Sequence, residues 1–244
     1  MLDILYRDEH LIAIDKPPGL LVHRSDIDRH ETRFAVQLLR DQIGRRVQPV
    51  HRLDKGTSGV LLFAFDADVA RAMGQQFESG VVEKTYLAVV RGWPSESGTI
   101  DHALSRQHDD YGRKLSIVAS QAAITHYWRL ATVELPAVVD RYPTARYALV
   151  ELHPLTGRHH QLRRHMKHIG HPIIGDATHG KGIHNRFFQR EFGCHRLLLA
   201  CVRMAFLHPL SGEKVGIGGT AQGQFAALLE RFDWSHASAP FPAA

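Results

Sequence analysis

The sequence predicts an α+β fold with a largely antiparallel sheet, and three observations lead there. Strand-like and helix-like segments mix without the regular alternation that a parallel sheet requires. Two short strand candidates at residues 4–6 and 11–15 are close enough to pair as a hairpin. A continuous apolar run at 60–65 reads as a strand buried on both faces. With 244 residues, 44% of them hydrophobic, the chain can bury a substantial core as one large domain or as two lobes sharing a sheet.

The elements follow in order. The hairpin closes into the turn signal Lys16-Pro17-Pro18-Gly19. Residues 31–43 place Phe34, Leu38, Leu39 and Ile43 near helical spacing, with Gly44 as a stop. After the strand at 60–65, Asp66 can cap a helix running through Phe77, which Gly80 ends. A strand is expected at 84–90, and residues 95–98 read as a connection between lobes. Further strands are expected at 122–134, 144–152, 197–207 and 213–217. Residues 158–169 predict a helix with Leu162, Met166 and Ile169 on one face and Gln161, His165 and His168 on another. An amphipathic helix near 221–232 closes the domain, expected to span 1–232, and the polar, Pro-containing end from 233 to 244 reads as disordered.

Composition narrows the function class. Net charge is +5 with eighteen histidines uncounted and a pI of about 9.4. Each lysine or arginine set against a phosphate releases counterions, so this balance favours a polyanionic partner without establishing one. No apolar run reaches the length of a membrane span, and Asp3, Arg7, Asp8 and Glu9 interrupt what would be a secretory leader. Cys194 and Cys201 read as free buried thiols in a reducing cytoplasm.

The stretch VHRLDKGTSGVLLF, residues 50–63, sets Asp54 among His51, Arg52 and Lys55, just ahead of the buried strand. Adjacent positive charge favours an ionised carboxylate, suited to nucleophilic attack or to stabilising positive charge. Gly56 and Gly59 leave room beside it for a large ligand. On this segment alone, such an aspartate most often makes a turn hydrogen bond and such cations a solvated pair. A kinase catalytic loop is excluded, because Leu53 interrupts His-Arg-Asp and neither a glycine-rich phosphate loop nor Asp-Phe-Gly is present.

Two further segments shift the balance. VEKTYLAVVRG, residues 82–92, sets Tyr86 and Lys84 on one face of a strand. LHPLTGRHHQLRRHMKHIGHPIIGD, residues 152–176, crowds Arg158, Arg163, Arg164 and several histidines into a turn, helix and turn. Together the three segments resemble the RluA-like family of pseudouridine synthases. Its pattern is His-Arg-Leu-Asp-x-x-Thr-Ser-Gly, then Lys-x-Tyr, then Thr-Gly-Arg-x-His-Gln-(Leu/Ile)-Arg-x-His with His-Pro-Ile-x-Gly-Asp, matched here at 51–59, 84–86 and 156–176. The opening residues also resemble that family's start.

The resemblance implies a catalytic core with a mixed, largely antiparallel sheet in two lobes flanking an RNA-binding cleft. It implies cleavage of the N1–C1′ bond of a uridine in RNA and rejoining through C5, with no cofactor and no metal. Asp54 would be the catalytic carboxylate. Tyr86 would stack on the base and help remove its C5 proton. Arg163 would pair with Asp54, and Leu162 would line the base pocket. Arg52 would help fill the space left by an extruded uridine, whose removal from a stack costs roughly a few kcal/mol. His51, Lys84, Arg158 and Arg164 complete the expected RNA-binding set.

His165, His168 and His171 fall at intervals of three, but neither His-Glu-x-x-His nor Cys-x-x-Cys accompanies them, so no metal is expected. With the core expected from about residue 2, no room remains for a preceding S4 domain. Within the family the likeness is greatest to the TruC-type branch, which modifies the acceptor–TΨC stem region of tRNA. His179, Lys181, His184, Asn185 and Arg186 are the expected discriminating positions, with Lys181 and Arg186 contacting RNA from a basic loop. A monomer acting on tRNA is the expectation, ahead of the same reaction on ribosomal RNA, a noncatalytic RNA-binding protein or a zinc hydrolase.

Overall fold

The computed structural model describes residues 1–24, 31–105 and 119–237. Strands β1 (Asp3–Arg7) and β2 (Leu11–Lys16) form the expected hairpin, with a register shift between Ile4 and Tyr6. Helix α1 (Ala35–Ile43) begins later than its periodicity predicts. Phe34 is extended and buried, bridging to Leu21, and so delays the helix. Gly44 closes α1 in the left-handed conformation.

Next come β3 (Gln48–Pro49), β4 (Ser58–Ala64) and α2 (Ala67–Ser79). Every residue of β4 is buried, and the Asp66 side chain accepts from the Val69 N–H to cap α2. Strand β5 (Glu83–Arg91) is followed by β6 (Ser97–Asp101), a correction to the expected connection at 95–98. Gly98 is in that strand because of close packing: a Cβ there would stand 2.7 Å from the Tyr127 ring. Short strands β7 (Leu104–Ser105) and β8 (Ser120–Gln121) pair with each other ahead of the long strands β9 (Ile124–Leu135) and β10 (Ala145–Pro154).

Helix α3 (Gln161–His168) is shorter than expected. Helix α4 (Gly182–Phe192) occupies part of what reads from sequence as a basic loop. Strands β11 (Leu199–Leu207) and β12 (Lys214–Gly218) and helix α5 (Gln224–Arg231) complete the chain. The expected disorder does not begin at 233: Trp234 is buried against Phe232 and donates its backbone N–H to Leu229 O. The rest of that expectation, 238–244, lies outside the described residues.

Among the described residues ten strands form one sheet, in the order β1-β2-β4-β11-β5-β10-β9-β6, with β3 on β4 and β12 on β11. Its one parallel strand pair among the described residues sets Ala200 and Cys201 of β11 beside Ser58 and Gly59 of β4, and so joins the N-terminal strands to the rest. Alternation along β5 and β10 divides the core in two. Tyr86, Ala88, Val90, Val150 and Leu152 pack on one face with Leu39, Met73, Leu162 and Met166 of α1, α2 and α3. Leu87, Val89, Tyr147 and Leu149 pack on the other with Phe187, Phe188, Phe225 and Leu228 of α4 and α5. No helix among the described residues is long and apolar enough to cross a membrane.

Candidate active site

Asp54 lies in the loop between β3 and β4, one residue past buried Leu53. Its backbone carbonyl accepts from the Thr57 N–H, so a turn does form here, as the local sequence allows. The turn leaves the carboxylate partly open, with 26% of the side chain exposed. The loop rests on Lys16, a fully buried lysine at the end of β2 that sequence reasoning passed over. Its Nζ donates to the carbonyls of Pro17, Leu20 and Lys55 at 2.9, 2.7 and 3.3 Å, tying the Pro-Pro-Gly turn to the Asp54 loop. Burial lowers the pKa of Lys16 to about 7, opposed by the charge of Asp54. Three carbonyl acceptors match the three N–H donors of an ammonium, which argues for the charged form at neutral pH.

The cation that reaches Asp54 comes from α3. Arg163 donates from one terminal nitrogen to Asp54 Oδ2 at 3.0 Å, and from Nε and its other terminal nitrogen to both oxygens of Asp176 at 2.7 and 2.8 Å. Burial works against the Arg163 charge, but the bonds to Asp176 and Asp54 outweigh it and raise its pKa. Asp176 is fully buried, yet Arg163 and the backbone N–H groups of Thr178 and His179 hold it below the usual carboxylate range. Sequence reasoning missed Asp176 as a site residue, although it ends the matched His-Pro-Ile-Ile-Gly-Asp run.

The surroundings fix this unit. Residues 172–176 dock against the end of β5, with Arg91 N–H donating to Pro172 O and Ile174 N–H to Val89 O. Gly175 has φ +80°, and a Cβ there would fall 1.9 Å from Arg196 O, so only glycine fits. Asn185 of α4 bonds both sides of this turn, accepting from the Gly175 N–H and donating to Asp176 O. At the start of α3, Gln161 donates to Ile124 O and Thr125 Oγ1 and accepts from Thr156 Oγ1 and the Arg158 N–H.

Tyr86, in the centre of the sheet, stands opposite Leu152 of β10 and Cys201 of β11. Burial, reinforced by Cys201 and by the charge of Asp54, keeps its phenol well above the usual range, so it rests as a neutral donor. Burial likewise pushes the Cys201 thiol up to about 12. Leu162, 7% exposed, packs in the same core cluster as Tyr86. A buried arginine–carboxylate pair beside a partly open carboxylate and a neutral phenol can hold a reacting anion in place and supply one mobile proton.

The remaining expected residues divide. Arg52 and Arg158 are exposed, and Arg158 Nε donates to Ala122 O. Arg164 donates to the carbonyl and hydroxyl of Ser105 and so fastens β7. His51 is turned into the fold: Nε2 accepts the Leu62 N–H at 3.0 Å, and the ring stacks on Phe77. Burial, then the charge of Lys84, lowers its pKa to about 3, so it is neutral and offers no cation to RNA. Lys84 is largely buried, 5.7 Å from the Phe77 ring, and burial lowers its pKa.

Lys181 and Arg186 are exposed on or beside α4, whose buried face packs on the side of the sheet away from Tyr86. Lys181 Nζ lies 3.9 Å from Asp140. His184 belongs to that second core, accepting from Arg91 Nε and bonding the Tyr147 hydroxyl. His165 bonds Thr125 Oγ1 and His102 O, His168 stacks on the His102 ring, and His171 bonds Arg91 O.

The RNA pseudouridylate synthase family model matches residues 10–168. Proteins called tRNA pseudouridine synthase C from Yersinia pestis and Haemophilus ducreyi are 50% and 51% identical to this chain. Each alignment covers 96% of the chain, with 92% and 96% of the relatives' own lengths. The solved structure of Human RNA Pseudouridylate Synthase Domain Containing 4 aligns with a TM-score of 0.69 at 26% identity, covering 95% of this chain and 93% of its own. That of Domain Containing 1 aligns at 0.68 and 27%, covering 91% and 84%. The chain belongs to the RNA pseudouridylate synthase family.

Proposed function

We propose that this protein converts a uridine to pseudouridine in the acceptor–TΨC stem region of folded tRNA, with Asp54 as the reacting carboxylate. The observation that carries the reading is the pairing of Asp54 with Arg163. It orients one carboxylate that stays partly exposed, beside the neutral phenol of Tyr86. In the reaction the N1–C1′ bond breaks, the base turns, and a C5–C1′ bond forms as the C5 proton leaves. Asp54 acts at the nucleoside, and Tyr86 underlies the base, its hydroxyl taking the C5 proton as it hands its own to water. Arg163 keeps Asp54 in register throughout.

Two considerations support tRNA. The relatives at about half identity carry names that assign them tRNA. Exposed Arg52, in the same loop as Asp54, and exposed Arg158, just ahead of α3, suit phosphates of a folded stem, where contacts set register and the extruded base supplies selectivity. The test gives the protein folded tRNA and a ribosomal stem-loop, each tritiated at uridine C5. Tritium should leave the tRNA, with pseudouridine mapped to the acceptor–TΨC stem region. Release from the ribosomal stem-loop alone would overturn the choice of RNA and keep the chemistry.

A further inference from the structure

Asp54 is approached from a second side. His160 Nε2 lies 3.8 Å from Asp54 Oδ2, the oxygen that Arg163 also holds. His160 Nδ1 lies 3.0 Å from His179 Nε2, and the His179 backbone N–H donates to Asp176 Oδ1. The contacts close a circuit from Asp54 through Arg163, Asp176, His179 and His160 back to Asp54. His160 is also held by its backbone and its neighbour. It adopts φ 54°, a left-handed conformation that costs a non-glycine residue on the order of 1 kcal/mol, and His159 stacks on its ring at 3.7 Å.

The imidazole–imidazole bond has a direction that Asp54 decides. Between His160 Nδ1 and His179 Nε2 there is one hydrogen when both rings are neutral. Were it on His160 Nδ1, the lone pair on His160 Nε2 would face the carboxylate. Were it on His179 Nε2, the one proton of His160 would sit on Nε2 and point at Asp54, which attraction favours. The other groups acting on His160 are Arg163, His159 and His179, and burial lowers its pKa to about 4, so it is neutral near pH 7. No described residue donates a hydrogen bond to Asp54 Oδ1.

We propose that His179 fixes His160 as its Nε2–H tautomer, and that His160 and Arg163 together anchor Asp54 through Oδ2, leaving Oδ1 for the RNA. His160 and His179 are thus positioning residues. The proposal rests on the reading of Asp54 as the reacting carboxylate.

Nitrogen-15 NMR of the full-length protein, with the His160 imidazole assigned, reads the tautomer directly. The expected signal is a protonated Nε2 and an unprotonated Nδ1 in the unsubstituted protein, moving toward Nδ1–H in His179→Ala. That variant should lose on the order of tenfold in kcat with KM unchanged, whereas His179→Gln, whose amide can still donate to Nδ1, should recover most of the loss. A protonated Nδ1 in the unsubstituted protein, or a His179→Gln protein as slow as His179→Ala, would overturn the proposal. The tautomer needs no variant, so a misfolded substitution leaves the decision intact. An Asp54→Asn protein at full turnover would instead remove the reading of Asp54 and leave the tautomer result standing.

Discussion

Arg163 reaches Asp54 at 3.0 Å across 109 positions of the chain. The bond joins α3 to the β3–β4 loop, so the carboxylate is oriented by an element far from it in sequence. The same guanidinium makes a two-bonded pair with Asp176 in which Arg163 is 10% and Asp176 0% exposed at the side chain. A buried pair of this kind is sensitive to losing one partner, because Arg163 would then keep only its single bond to the partly exposed Asp54.

Asp176→Asn should therefore destabilise the protein by about 1–3 kcal/mol, less than a fully uncompensated buried charge would, because Arg163 keeps Asp54 and the amide oxygen can still accept from it. The urea midpoint should fall with an unchanged m-value. Turnover by the folded fraction should fall as well, since Arg163 loses its brace. An unchanged midpoint would show that Asp54 and the amide oxygen satisfy Arg163 without the charge of Asp176.

Tyr86→Phe keeps the ring and removes only the hydroxyl. RNA binding should stay within about threefold, since no phosphate contact is lost, while C5 tritium release should fall sharply. Release at the unsubstituted rate would reduce Tyr86 to a packing residue.

The two groups of expected RNA contacts should separate in a salt titration. Arg52→Ala and Arg158→Ala should each weaken tRNA binding and make the slope of log K against log salt shallower by about one. Lys181 and Arg186, on the layer away from Tyr86, should give smaller changes in both quantities when replaced by Ala. Equal effects from the two pairs would mean that RNA wraps around to α4.

Much of this arrangement was legible in the sequence because its signals are local. Asp66 and Gly80 bound α2 through side-chain capping and a left-handed turn, both readable from neighbours. The paired hairpin, the buried run of β4 and the antiparallel bias also follow from short patterns. Where reasoning failed, the cause was long-range contact, except at α4. His51 looks like a cation for RNA, yet the Leu62 N–H and the Phe77 ring claim it. Gly98 looks like a linker glycine, yet the Tyr127 ring requires it. Helix α4 was hidden by Gly180 and Gly182 at its start, although Ile183, Phe187 and Phe188 carry helical spacing and Gly193 ends it. Lys55 stands next to Asp54 in sequence and its Nζ pairs with Glu31, while Arg163 supplies the cation.

If one carboxylate performs the chemistry, Asp54→Asn should remove it. The substitution preserves size and removes the charge and its reactivity, while few phosphate contacts are touched. Single-turnover tritium release from C5-labelled folded tRNA should disappear, with tRNA affinity within a few fold and the thermal midpoint close to that of the unsubstituted protein. Undiminished tritium release by a verified Asp54→Asn protein would mean that another group performs the chemistry.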